Sequence, residues 1–121
     1  MREILFRGKR IDNGEWIYGY FSKHTTGKTF IRPSGKNCQY SAEVLPETVG
    51  QYTGLTDKNG TKIFEGDILN VNNEYIGVVG YAAGAFGAKY TDGKGAIYLC
   101  YVNEYSEVIG NIHDNPELLN N

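Results

Sequence analysis

The sequence predicts an all-β protein of many short strands, folded as a small barrel or as packed sheets. Three observations predict it. The 121 residues include 16 glycines and 10 tyrosines; glycine supplies positive φ at turns and bulges, and tyrosine suits half-buried strands. Residues 46–69 read as two strands joined by a tight Asn59-Gly60 turn, with a second reversal at Glu65-Gly66-Asp67. Turn residues recur along the whole chain and leave room for about eight to ten short strands between them.

Each element follows in order. Ile4-Leu5-Phe6-Arg7 is a short apolar strand, and Asp12-Asn13-Gly14 has hairpin-turn chemistry. Residues 15–21 alternate, with Trp16, Tyr18 and Tyr20 on one face and Ile17, Gly19 and Phe21 on the other. Both faces are apolar, so this strand is expected to be covered on both sides, with Trp16 and Tyr20 in the core. Thr25-Thr26-Gly27 is a turn, and residues 28–32 form a strand that Pro33 ends or confines to an edge. Residues 34–43 show no period and read as a loop. Residues 48–53 are strand-like around a bulge-prone Gly50. After the 57–60 turn, Ile63-Phe64 returns, residues 68–71 form the next strand, and Asn72-Asn73 turns the chain. Residues 75–83 are a strand, residues 84–88 a flexible connection, and residues 92–95 a turn. The continuous apolar run over residues 96–102 predicts a central strand buried on both faces. Residues 107–112 make the last strand. Asp114-Asn115 ahead of Pro116-Glu117-Leu118-Leu119 predicts a capped helical turn with proline at its first position.

The length suits one domain over residues 1–121, with a division into lobes 1–45 and 46–121 as a variant. Hydrophobic residues at 40% against charged residues at 21% place the chain with globular proteins, not disordered ones. No apolar run approaches the ~20 residues of a membrane helix. Arginine and lysine interrupt the first ten residues, so they form no secretory apolar region. A cytoplasmic location is expected, with Cys38 and Cys100 as free thiols and Cys100 a small core residue. Charge is uneven: residues 1–36 hold eight Lys/Arg against three Asp/Glu (+5), and residues 37–121 hold four against eleven (−7).

Catalytic chemistry finds no carrier in this sequence. The spacing of Gly50, Gly54, Gly60 and Gly66 matches neither phosphate-loop pattern. Glu65 and Asp67, like Asp12 and Glu15, flank turns and supply too few oxygens for calcium. Asp67 is expected in a solvated turn, accepting a backbone hydrogen bond. Cys38, Cys100, His24 and His113 have zinc-ligating atoms but no paired spacing. No serine sits in a nucleophile elbow. No catalytic residue, metal or cofactor is therefore assigned.

The basic, aromatic N-terminal third is the candidate contact region. Arg2, Arg7, Lys9, Arg10, Lys23, Lys28, Arg32 and Lys36 interleave with Phe6, Trp16, Tyr18, Tyr20, Phe21 and Phe30. The contact surface is assigned to Arg7, Lys9, Arg10 and Lys23. A protein partner fits it, as does a further copy of the chain docking its acidic part there. Single-stranded nucleic acid, held by cations and stacking rings, is the alternative, weakened by a sequence pI near 5.6.

Three stretches carry a family resemblance. They are residues 2–10 with Gly14-Glu15-Trp16 and Gly19-Tyr20; residues 47–55 running into Asp57-Lys58-Asn59-Gly60 and Glu65-Gly66-Asp67-Ile68; and residues 108–112 with Asn115-Pro116-Glu117-Leu118. Together they resemble the YopX family of phage and prophage proteins. The resemblance implies an all-β fold with an SH3-like C-terminal part, a tendency to oligomerise and a phage or prophage origin in a bacterial host. It implies no activity. The resulting expectation is a non-catalytic interaction or self-assembling module. Its partner would be an unidentified phage or host protein or itself, and no membrane is involved.

Overall fold

The structure is a computed structural model and describes residues 4–33 and 40–119. Its described residues form antiparallel strands with one short helix. The chain divides into two compact units, one up to Tyr52 and one from Thr53.

In the first unit, β1 (Phe6–Lys9), β2 (Trp16–Lys23), β3 (Thr29–Pro33) and β4 (Ala42–Val44) form an antiparallel meander. At the first turn Gly14 takes φ 72°, and the Asn13 side-chain oxygen accepts the Glu15 N–H at 2.9 Å. The meander curls until β4 meets the end of β1. Arg10 bridges Val44, and the Leu45 N–H donates to the Lys9 carbonyl at 2.9 Å. Ile31 and Val44 are fully buried inside the curl. Gly8 and Gly19 permit the close approach. A Cβ at Gly8 would lie 3.0 Å from Val44, and one at Gly19 would lie 2.0 Å from the Arg32 carbonyl oxygen. A 3₁₀ turn, Pro46–Thr48, then locks onto β1. The buried Thr48 hydroxyl accepts the Lys9 N–H at 2.9 Å and donates to the Leu45 carbonyl at 2.6 Å. β5 (Gly50–Thr56) begins in this unit, pairing Gly50 with Arg7 and Gln51 with Phe6, and continues into the next.

In the second unit, β5 turns through residues 57–60 into β6 (Lys62–Phe64). The strands β7 (Asp67–Val71), β8 (Tyr75–Ala82), β9 (Ala85–Tyr90), β10 (Ala96–Tyr98) and β11 (Ser106–Asn111) form a sheet in the order β10-β9-β8-β7-β11. A four-residue helix α1 (Leu99–Val102) links the edge strand β10 toward β11. Ile63, Leu69, Val71, Val79, Ala88, Leu99 and Val102 make the core. Asn111 and Asn115 then exchange hydrogen bonds across the chain end, and the predicted C-terminal turn is a 3₁₀ turn, Pro116–Leu119.

Asp57 organises this unit. It is 5% exposed. One carboxylate oxygen accepts the Asn59 and Thr61 N–H groups, each at 2.9 Å, and the other accepts the Val108 N–H at 2.9 Å. The hairpin turn is thereby fastened to β11. Burial alone pushes this carboxyl up, but the donors from Val108, Thr61 and Asn59 outweigh it and hold the group below its ordinary value.

Several sequence expectations are corrected. Residues 96–102 are not a central strand: β10 pairs with β9 alone, and α1 follows it. Leu99 and Val102, three apart, both point inward only in a helical turn, which turns Cys100 and Tyr101 out to solvent. Cys100 is therefore exposed, not core. The strand buried on both faces is β7. Residues 84–88 belong mostly to β9, closed by a turn at Ala83 and Gly84, which take φ 53° and 82°. Ala42 and Glu43, expected in a loop, belong to β4 and pair with β3, whose backbone groups they satisfy; residues 34–39 of that loop, with Cys38, lie outside the described residues. Asp67 accepts a backbone hydrogen bond as predicted, from the Phe64 N–H at 2.7 Å, but it is the first residue of β7 and buried, not in a solvated turn. β2 is not covered on both sides: Tyr18, Tyr20 and Phe21 are exposed. Aromatic residues suit a wet strand face as well as a dry one, so composition alone did not separate the two.

Gly19→Ala is expected to lower Tm by about 10 °C or more, because the added methyl meets β3 backbone that cannot yield. Gly80→Ala, where a Cβ meets nothing within 4 Å, should shift stability by at most about 0.5 kcal/mol. Asp57→Asn should cost about 2 kcal/mol at pH 7, since an amide nitrogen would face a backbone donor. A depressed folded pKa stabilises above the unfolded value near 3.9, and that contribution is lost as pH falls through the folded value. The difference between wild type and Asp57→Asn, read by urea unfolding, should therefore shrink below about pH 4.

Candidate interaction face of the N-terminal sheet

Cross-strand partners in an antiparallel pair share a face. The register sets Arg7 opposite Tyr18 and Lys9 opposite Trp16 across β1 and β2. It sets Arg32 opposite Tyr20 across β2 and β3. One face of three strands therefore carries Arg7, Lys9, Trp16, Tyr18, Tyr20 and Arg32. The three β2 rings stand about 7 Å apart along the strand, two residues per step.

The cations are held against the rings. The Arg7 guanidinium lies 4.7 Å from the centre of the Trp16 ring, and the Lys9 ammonium lies 5.8 Å from it. The Arg32 guanidinium lies 5.7 Å from the Tyr20 ring centre. Such cation–π contacts fix the position of a charge without neutralising it. Tyr18 is 45% and Tyr20 52% exposed, Trp16 is half-buried, and Arg32 is exposed. Arg7 is only 6% exposed, so it supports Trp16 from within.

The four residues assigned from sequence separate. Arg7 and Lys9 meet at Trp16. Arg10 leaves the strand and forms a two-pronged ion pair with Asp12, at 2.7 and 3.0 Å. That pairing holds Asp12 below its ordinary carboxylate value, first through the hydrogen bond from Arg10. Lys23 sits at an odd position of β2, opposite Thr29, and so lies on the other face. Arg32 and the tyrosine row were not assigned to the contact surface. The alternation Trp16-Tyr18-Tyr20 carried the signal, but the equally apolar partner face made it read as core.

The remaining chemistry-bearing residues do not converge. His24 packs against Phe30 with ring centres 4.4 Å apart and planes tilted by 39°. Among the described residues, no group of three or more His, Cys, Asp or Glu side chains could hold a metal. A cavity of about 560 Å³ in the C-terminal unit is lined by residues that include Tyr81, Phe86, Tyr98 and Tyr101. Among the described residues, Lys89 is its only charged lining side chain.

Among the described residues, no helix is long and apolar enough to cross a membrane. The chain is similar to the crystal structure of protein EF1440 from Enterococcus faecalis, with 25% identity and a TM-score of 0.63 over 98% of this chain and 99% of that one. No curated protein matches the chain. The model of the YopX family, described as YopX protein, matches residues 5–120. With nearly its whole length matched, the chain belongs to the YopX family.

Proposed function

We propose that this protein is a non-catalytic interaction module of phage or prophage origin, working in the cytoplasm of a bacterial host. Its contact surface is the N-terminal face of Lys9, Trp16, Tyr18, Tyr20 and Arg32, and its partner is a protein, further copies of the chain included. The observation that carries this reading is the exposed tyrosine row with cations already held beside it. Trp, Tyr and Arg are the residue types that dominate binding energy at protein interfaces. A guanidinium resting on a ring gives up less freedom on binding than a loose one. YopX membership supports the phage or prophage origin.

Single-stranded nucleic acid is the second reading, favoured by the ring spacing along β2 and the flanking cations. It ranks lower for two reasons. Arg7 lies over Trp16 and Arg32 over Tyr20, which leaves fewer open ring faces for bases. The chain is also acidic overall, with net charge −2.

The test is an affinity pull-down of the tagged chain from host cells with an active prophage, with and without nuclease. A specific protein band that survives nuclease is expected; recovery of nucleic acid, with bands lost on digestion, would contradict the reading. Tyr20→Ala combined with Arg32→Ala should weaken partner binding about tenfold to a hundredfold, as loss of a small hot spot does. The melting temperature should hardly change, because both side chains are exposed. Arg7→Glu is unsuitable for this purpose, since it places a carboxylate at a buried position.

A further inference from the structure

The C-terminal unit carries a site of opposite preference. At the β7–β8 turn, Asn72 and Asn73 take φ of 53° and 60°, as a two-residue primed turn requires and as asparagine tolerates. The turn places Glu74 and Tyr75 on a cavity of about 240 Å³ lined also by Val71, Tyr90, Val102 and Tyr105. A main-chain bond from the Asn72 N–H to the Tyr105 carbonyl, 2.9 Å, ties the turn to the Tyr105 side of the cavity. Tyr75 stacks on Tyr90 with ring centres 4.9 Å apart, yet remains 43% exposed, and Tyr105 is 60% exposed. Glu74 is exposed, and its carboxylate accepts one long hydrogen bond, 3.3 Å, from the Asn72 side chain.

Phenol faces and a carboxylate around one cavity select a cation. Among the described residues, no Lys, Arg or His lines it. Val71 and Val102 suit the methylene stem of a long basic side chain. The volume is below the usual range for small-molecule pockets, about 300–1,000 Å³, and suits a single side chain.

We propose that this cavity receives a Lys or Arg side chain, and that its occupant is a basic side chain on the N-terminal sheet of a second copy of this chain. Charge complementarity supports the choice. Up to Tyr52 the chain has eight Lys/Arg against five Asp/Glu (+3); from Thr53 it has four against nine (−5). Arg32, exposed and resting on a tyrosine already, is the side chain best suited to enter. The proposal rests on the N-terminal face being a contact surface and adds the surface it meets. The contact joins two different patches, so it builds a ring if it closes.

Sedimentation velocity of the purified full chain at low and physiological salt tests this directly. Association that rises with concentration and weakens with salt is expected. Glu74→Lys, Tyr105→Ala and Arg32→Glu should each weaken it at least tenfold, and combining Glu74→Lys with Arg32→Glu should restore part of it. A chain that stays monomeric up to about 100 μM, a weak-complex threshold, overturns the second copy as occupant. Association untouched by Glu74→Lys and Tyr105→Ala overturns the cavity. Neither failure touches the nuclease-resistant pull-down, which tests the N-terminal face independently.

Discussion

The register of β1 and β3 against β2 is the constraint on which the candidate face depends. Side chains alternate along a strand, so a slip of one residue would turn Trp16, Tyr18 and Tyr20 to the other side of the sheet. Three local features hold the register. Gly19 lets the Arg32 carbonyl approach to a distance no side chain would allow. Gly8 leaves room for Val44, so β4 can close back on β1. The Thr48 hydroxyl joins Lys9 to Leu45 and fixes the end of β1. With the register held, Lys9 must stand beside Trp16 and Arg32 beside Tyr20.

The C-terminal unit is held by different physics. Its centre is apolar, with β7 buried on both faces, but the hairpin that leads into it is fastened by one carboxylate. Asp57 satisfies donors from its own turn and from β11 together. Lys58 adds a main-chain bond to the Ser106 carbonyl at 3.0 Å. A buried acceptor serving three donors leaves little freedom in the turn, and a defined turn keeps the strands that follow in order.

Much of this was legible in the sequence. Asn59-Gly60 and Glu65-Gly66-Asp67 marked their turns because glycine at positive φ has few substitutes there: Gly60 takes 83° and Gly66 takes 89°. Pro116 marked the last turn for a different reason: its ring fixes φ at about −65°, which suits the first position of a helical turn. What was not legible lay where two periods compete. Residues 96–102 are apolar throughout, so strand and helix predict the same composition, and only the edge position of β10 and the inward Leu99 and Val102 decide. The role of Asp57 was hidden because one donor, Val108, is 51 residues away. The candidate face was half legible. The alternation on β2 was plain, but which side is wet depends on how the meander curls, and Arg10 is withdrawn by Asp12 two residues on.

The Tyr20 side of β2 is the surface proposed to touch a protein. The most direct measurement places a photo-crosslinking phenylalanine analogue at Tyr20, and separately at Lys23 on the opposite face, in host cells with an active prophage. A nuclease-resistant protein adduct from position 20, with none from position 23, is the predicted result. Adducts from position 23 alone, or adducts from position 20 to nucleic acid only, would contradict it.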